Sequence, residues 1–198
     1  MQKMGTSYNS RGFTIVELLI VIVIIGIIAA IVIIAYGGIQ DRANNQQTES
    51  AITAYKKALI QYATDNGSYP VNSTSSSCLG EPAYSNCWPA GTNATFNNAI
   101  RPYLGNVNPL PRPSTQLLTY YGTRAGGGYM YDTIKTVDGQ PHYYYIAYVL
   151  KGQGKCTLPG LLSGPWTGFS SAPPASKYTE THSGNSLCAI ALPNPSSL

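Results

Sequence analysis

From Leu18 to Ala35 the chain carries no charged or hydrogen-bonding side chain: eighteen residues, nearly all Ile, Val, Leu or Ala. As a helix such a run spans about 27 Å, close to the hydrocarbon thickness of a bilayer. Ile and Val are indifferent helix formers in water. In lipid, however, a lone segment must be helical to satisfy its own backbone. Lys3 and Arg11 precede the run with no acidic residue beside them, which sets the N-terminus inside the cell and the remainder outside. The short polar head ends in Arg11-Gly12, and Phe13-Thr14-Ile15-Val16-Glu17 follows directly. A secretory signal is cut after its apolar segment and lost. A cut after Gly12 would instead keep the apolar helix as the new N-terminus, with the carboxylate of Glu17 four residues in. A carboxylate in the apolar layer is costly, and a plain anchor is better without one.

Gly12, Phe13, Thr14, Glu17, Gly26, the pair Ala29-Ala30 and the pair Ala35-Tyr36 fall where type IV pilins and pseudopilins have them. The N-terminus resembles the class III signal of that family, and the resemblance covers the chain to about Gly67. One position departs: many members carry a proline two residues before the tyrosine, and this chain has Ile34. The resemblance implies an α+β pilin fold, a long N-terminal helix packed on an antiparallel β-sheet head. It implies cleavage after Gly12 by a prepilin peptidase, N-methylation of Phe13, and pairing of the Glu17 carboxylate with the Phe13 amine of a neighbouring subunit. The implied partners are further copies in a helical filament, a membrane platform protein and an assembly ATPase. The implied location is the cytoplasmic membrane before assembly and an extracellular pilus after it. No cofactor is expected. Gly26, Gly37 and Gly38 are the weak points of the helix, each costing about 1 kcal/mol relative to alanine. With the proline missing, Gly37-Gly38 is where a bend or melted turn is expected in a filament, while Gly26 suits close helix–helix packing.

The segments follow as 1–12 leader, 13–38 membrane or filament-core helix, 39–67 amphipathic helix and 68–198 β-rich head. Asp41 to Ser50 is strongly polar. Ile52, Tyr55, Leu59 and Tyr62 then recur at helical spacing, flanked by Ala51, Ala54, Ala58 and Ala63. That is one apolar face, to be laid on a sheet with Lys56, Lys57 and Gln61 outside. Asp65-Asn66-Gly67 offers a stop with a left-handed glycine cap, and Tyr69-Pro70 leaves it extended. Strand composition marks Leu117–Tyr121, Gly128–Ile134, His142–Leu150 and Ser186–Leu192, with turns at Gly126-Gly127-Gly128 and Asp138-Gly139; together they read as an antiparallel meander. The stretches Val71–Pro113 and Pro159–Pro174 read as loops, with a short helix near Phe96–Leu104.

Four cysteines, Cys78, Cys87, Cys156 and Cys188, all follow the apolar run and fit an oxidising exterior. Three pairings are possible. Cys78–Cys87 with Cys156–Cys188 is favoured, and a cysteine pair near the C-terminus resembles the one that bounds the exposed loop of pilins. A metal site is the weaker reading, because no Cys-x-x-Cys spacing occurs and His142 and His182 have no cluster around them. Asn66, Asn72 and Asn93 satisfy the short N-glycosylation pattern. No phosphate loop, serine-hydrolase elbow or zinc-protease motif is present, so no enzyme is expected. The formal charge of +4 includes two leader cations, leaving a mature chain nearer +2, too little to argue for nucleic acid. The sixteen tyrosines are better explained by packing in a sheet than by stacking on DNA. The functions compatible with this pattern are a type IV pilus subunit serving adhesion, twitching motility or DNA uptake, a pseudopilin of a type II secretion-like system, and a minor pilin acting as adhesin or DNA receptor.

Overall fold

The computed structural model describes residues 12–70, 76–80, 87–88, 93–114, 119–120, 123–125, 127–130, 135–137, 140–152, 156–162, 180–182 and 185–198. They fall in two compact units, Met1–Gln40 and Asp41–Leu198. Residues 1–11 of the expected leader, the Asp138-Gly139 turn and most of the 159–174 loop lie outside the described residues.

One helix, α1 (Ile15–Asn66), contributes to both units. In the first unit it is apolar all round. The large hydrophobic side chains from Phe13 to Val32 are between 47% and 81% exposed, a surface that only lipid or other helices can cover. Among the described residues α1 is the one helix long and apolar enough to cross a membrane.

In the second unit the 3.6-residue period is used as the sequence suggests. Ile52, Tyr55, Ala58, Leu59 and Ala63 are buried in the core, while Lys57 and Gln61 are exposed. Lys56 departs from expectation. It is half-buried, because its ammonium donates to the Pro159 carbonyl at 2.9 Å. At the far end the Gly67 N–H donates to the Ala63 carbonyl at 2.8 Å with φ +71°. This is the left-handed cap that lets the chain leave the helix without straining a side chain.

The head contains α2 (Ala94–Ile100), continued by a 3-10 turn over Arg101–Leu104. Asn93 starts α2 by accepting from the Phe96 N–H at 3.1 Å. Pro102 lacks the N–H that would continue the α ladder, and the helix tightens there. The strands in chain order are β1 (Ser76–Cys78), β2 (Cys87–Trp88), β3 (Thr119–Tyr120), β4 (Thr123–Ala125), β5 (Gly127–Met130), β6 (Lys135–Val137), β7 (Gln140–His142), β8 (Tyr145–Lys151), β9 (Glu180–His182) and β10 (Asn185–Ala191). Five form the main sheet in the order β1-β5-β8-β10-β9, and every neighbour is antiparallel.

The fold is thus α+β, as expected, but the sheet is not the simple meander. The 119–120 strand joins β2 and β4 in a separate three-stranded sheet, and β6 pairs β7 alone. The edge strand β1 arises inside the stretch read as loop. Its Ser-Ser-Cys sequence has no apolar alternation, and its register comes from β5, Cys78 lying opposite Gly128.

The centre of the sheet is β8 on β10, with Ile146 opposite Ile190 and Tyr148 opposite Cys188. These residues share one cluster with Ile52, Tyr55 and Leu59. The alternate residues Tyr145, Ala147, Val149, Leu187 and Ala189 are also at most 3% exposed. Both faces of the central strands are therefore buried, which makes the sheet an inner layer. Gly127, opposite Tyr148, sits where α1 comes close. A Cβ there would lie 2.8 Å from Ile52 Cδ1 and 3.0 Å from Pro113 Cγ.

Candidate functional site

The first candidate site is the start of α1. Thr14 and Glu17 face each other across the first turn. The Thr14 N–H and the Thr14 hydroxyl both donate to Glu17 Oε2 at 2.8 Å. In return the Glu17 N–H donates to Thr14 Oγ1 at 3.2 Å. Two backbone donors that the helix itself cannot satisfy are paired by a Thr and a Glu three residues apart, a reciprocal capping box. A carboxylate is also favoured at this end by the helix dipole. Both of these bonds to the carboxylate fall on Oε2, and Oε1 receives neither.

Glu17 is thus a capping residue beside an exposed apolar surface. It starts the helix through Thr14, and it offers an oxygen at the rim of an apolar surface. Sequence reasoning noted Thr14 only as part of a resemblance. The Thr-x-x-Glu spacing directly before an apolar run was the signal that could have identified its role. Gly12 and Phe13 lie beside this cap, both exposed. At Gly12, Gly26, Gly37 and Gly38 an added Cβ would meet nothing within 4 Å. The helix is continuous through Gly37-Gly38, so packing within one chain does not require these glycines.

In the second unit, the polar stretch of α1 grips the head. Asn45 pairs with the backbone of Lys151 twice, donating to its carbonyl and accepting from its N–H, each at 2.9 Å. Thr48 Oγ1 accepts from the Ser114 N–H at 3.1 Å, and the Ser114 hydroxyl donates to Asn44 Oδ1 at 2.9 Å. Gln47 donates to the Arg112 carbonyl at 3.3 Å. Glu49 accepts from the Thr157 hydroxyl at 2.7 Å, and Asp41 bridges Lys151 at 3.0 Å. Residues that look like solvated linker thus form a polar seam along the head.

The segment 156–162 is strapped across the sheet. Cys156 is bonded to Cys188, with Cα atoms 5.6 Å apart. Leu161 bridges Ile190, the Leu162 N–H donates to Ala189 O at 3.0 Å, and the Ala191 N–H donates to Gly160 O at 3.3 Å. The disulfide thus anchors this strap to the middle of β10. Cys78 is also disulfide-bonded. The side chain of Cys87 lies outside the described residues, and so does the expected pair. Of the glycosylation candidates, Asn66 directs its amide nitrogen to Tyr62 O at 2.9 Å and Tyr103 Oη at 3.1 Å. Asn72 lies outside the described residues. Among the described residues no group of His, Cys, Asp and Glu is arranged to hold a metal ion.

Comparison with known proteins adds to the geometry of the helix start. A family model described as the prokaryotic N-terminal methylation motif matches residues 7–33. Over 62 residues the chain is 44% identical to the type II secretion system core protein G of Klebsiella michiganensis, covering 31% of this chain and 44% of that protein. It is 40% identical over 67 residues to the protein of the same name from Escherichia coli strain K12, covering 34% of this chain and 46% of that protein. It is 36% identical over 73 residues to the type IV major pilin protein PilE1 of Neisseria gonorrhoeae, covering 37% of this chain and 44% of that protein. The chain thus spans less than half the length of these relatives. No solved structure matches it. Its N-terminal segment is that of the type IV pilin and pseudopilin superfamily.

Proposed function

We propose, from an N-terminal segment shared with type IV pilins and type II secretion pseudopilins, that this chain is a structural subunit of a type IV pilus filament. The observation that carries the reading is the capped Glu17 at the head of an exposed apolar helical segment. The subunit waits in the cytoplasmic membrane through residues 13–38. A prepilin peptidase cuts after Gly12 and methylates the Phe13 amine. The apolar helices then bundle, each Glu17 Oε1 receiving the Phe13 amine of a neighbour, while residues 68–198 face outward. In the low dielectric of the bundle such a pair is stronger than in water. Gly37-Gly38 supplies flexibility to the helix during assembly, and a membrane platform protein and an assembly ATPase drive it. The role is structural rather than catalytic.

The strapped Cys156–Cys188 region supports a pilus subunit whose exposed surface is hardened for the cell exterior. A second reading, a pseudopilin of a type II secretion system, is favoured by the 44% identity to core protein G. Electron microscopy of surface filaments with an antibody to residues 68–198, beside a secretion assay in a deletion strain, tests both. Labelled filaments with normal secretion support the pilus. Lost secretion without long filaments supports the pseudopilus. Mass spectrometry of the mature chain should give a methylated Phe13 at its start; a chain still beginning at Met1 would sink both.

A further inference from the structure

In the second unit, carboxylates on α1 are used internally with one exception. Asp41 is bridged to Lys151 and Glu49 receives the Thr157 hydroxyl. Asp65 is exposed and has no partner among the described residues. It stands in the last turn of α1, which carries no basic residue. The unpaired carbonyls at a helix C-terminus already amount to about half a negative charge. Asp65 adds an anion where the helix is itself negative, and no described residue pairs with it.

On the cation side, two neighbouring lysines differ. Lys56 is spent on the Pro159 carbonyl. Lys57 is exposed and without a partner among the described residues. It lines an open groove of about 750 Å³ along α1, together with Gln46, Glu49, Ser50, Thr53, Ala54 and Leu158, the Glu49 carboxylate being held by the Thr157 hydroxyl.

We propose that the groove is the seat of a second copy of this chain, in which Lys57 of one copy meets Asp65 and the C-terminal end of α1 of the next. The proposal rests on the filament reading and names an interface within it. Eight residues separate the two charges, about 12 Å along a helix and about 80° around it. They therefore lie on different faces at different heights. Copies that enter one membrane in the same orientation stand parallel, which rules out a closed antiparallel pair. A parallel copy displaced by one step along the axis satisfies one charge of each subunit and leaves the other for a further copy, so the contact is head-to-tail and propagates.

The test is charge reversal in the full chain, measured as sheared filament yield beside processed subunit in membranes. Lys57→Glu and Asp65→Lys should each lower filament yield about ten-fold at unchanged subunit level, and the two together should restore most of it. Asp65→Lys removes the repulsion at the helix end, so a purely structural role predicts a subunit at least as stable and filaments at wild-type yield. A second readout uses Lys57→Cys with Asp65→Cys. The described native cysteines are not free, so a short bis-maleimide should give a ladder of multimers; monomer alone, or dimer alone, overturns the head-to-tail contact. Single reversals at wild-type yield, or a combined variant no better than either single one, also overturn the pair. In those cases wild-type filaments would still stand. A wild-type chain that makes no filaments overturns the filament reading and this contact with it.

Discussion

Replacing both Cys156 and Cys188 by alanine tests how the strap is held. The bond joins residues 32 apart in sequence. Closing a loop of that length in the unfolded chain costs about 12 cal/mol/K of entropy, or about 4 kcal/mol at 25 °C, which the variant no longer has in its favour. The hydrogen bonds of Leu162 and Ala191 across the strap do not reduce this figure, because the effect acts on the unfolded state. Cys188 is fully buried in the core cluster, so the missing sulfur adds a small packing loss in the same direction. For a domain of this size each kcal/mol moves the melting midpoint by about 2–4 °C, giving a fall of about 8–16 °C. The assay is thermal unfolding of the full chain in detergent, followed by near-ultraviolet circular dichroism of the head tyrosines. The double alanine variant should melt in that lower range and still fold at room temperature. A fall of less than about 3 °C would refute the reasoning, because the unfolded chain would then be no freer without the bond.

Three further outcomes are expected. Glu17→Gln preserves the capping box, since glutamine serves at that position as well as glutamate, but removes the charge; insertion and cleavage should be normal while filaments of the variant alone are few or absent, and wild-type yield on shearing would leave the Glu17–Phe13 pairing without support. Gly127→Ala places a methyl group against Ile52 and the rigid ring of Pro113, which should cost about 1–3 kcal/mol in urea unfolding; an unchanged midpoint would mean that α1 can lift off β5 freely. Burial raises the hydroxyl pKa of Tyr69 and Tyr148 above the ordinary value of 10.0, helped by Tyr144 beside the first and Glu49 beside the second. The folded state holds these protons more tightly, so their contribution to stability is complete below pH 10 and is lost as pH rises above it; Tyr148→Phe should flatten the alkaline loss, and an identical pH profile would count against it.

What the sequence made legible follows from which forces act locally. The helical period of Ile52, Tyr55 and Leu59, the glycine cap at Gly67 and the tyrosine-rich run of β8 are each written in neighbouring residues. The short helix at 94–100 is written the same way, with Pro102 marking where it tightens. The edge strand β1 was not legible, since three residues of Ser-Ser-Cys become a strand only through pairing with β5. Nor was the separation of β3 and β4 from the main sheet, which depends on a parallel contact with the distant Cys87–Trp88 pair. The polar seam was hidden for another reason. Asn44, Asn45, Thr48 and Glu49 have the composition of a solvated helix face, and only their distant partners at Ser114, Lys151 and Thr157 show otherwise. At the helix start the resemblance marked Glu17 for its charge and passed over the hydroxyl of Thr14 that holds it.

The reciprocal bonds between Thr14 and Glu17 lie wholly on the downstream side of Gly12. A peptidase acting there would find the first turn already wound and would leave it wound, because the bonds of the cap join two residues that the cut leaves in place. Precursor and product would share that first turn, while the cut removes Lys3 and Arg11 with the leader and places a new ammonium group on Phe13. At this end of α1, maturation would then be a change of charge without a change in the first turn. A membrane could hold a large stock of uncut subunits, each with its first turn already wound and silent until that ammonium group is released.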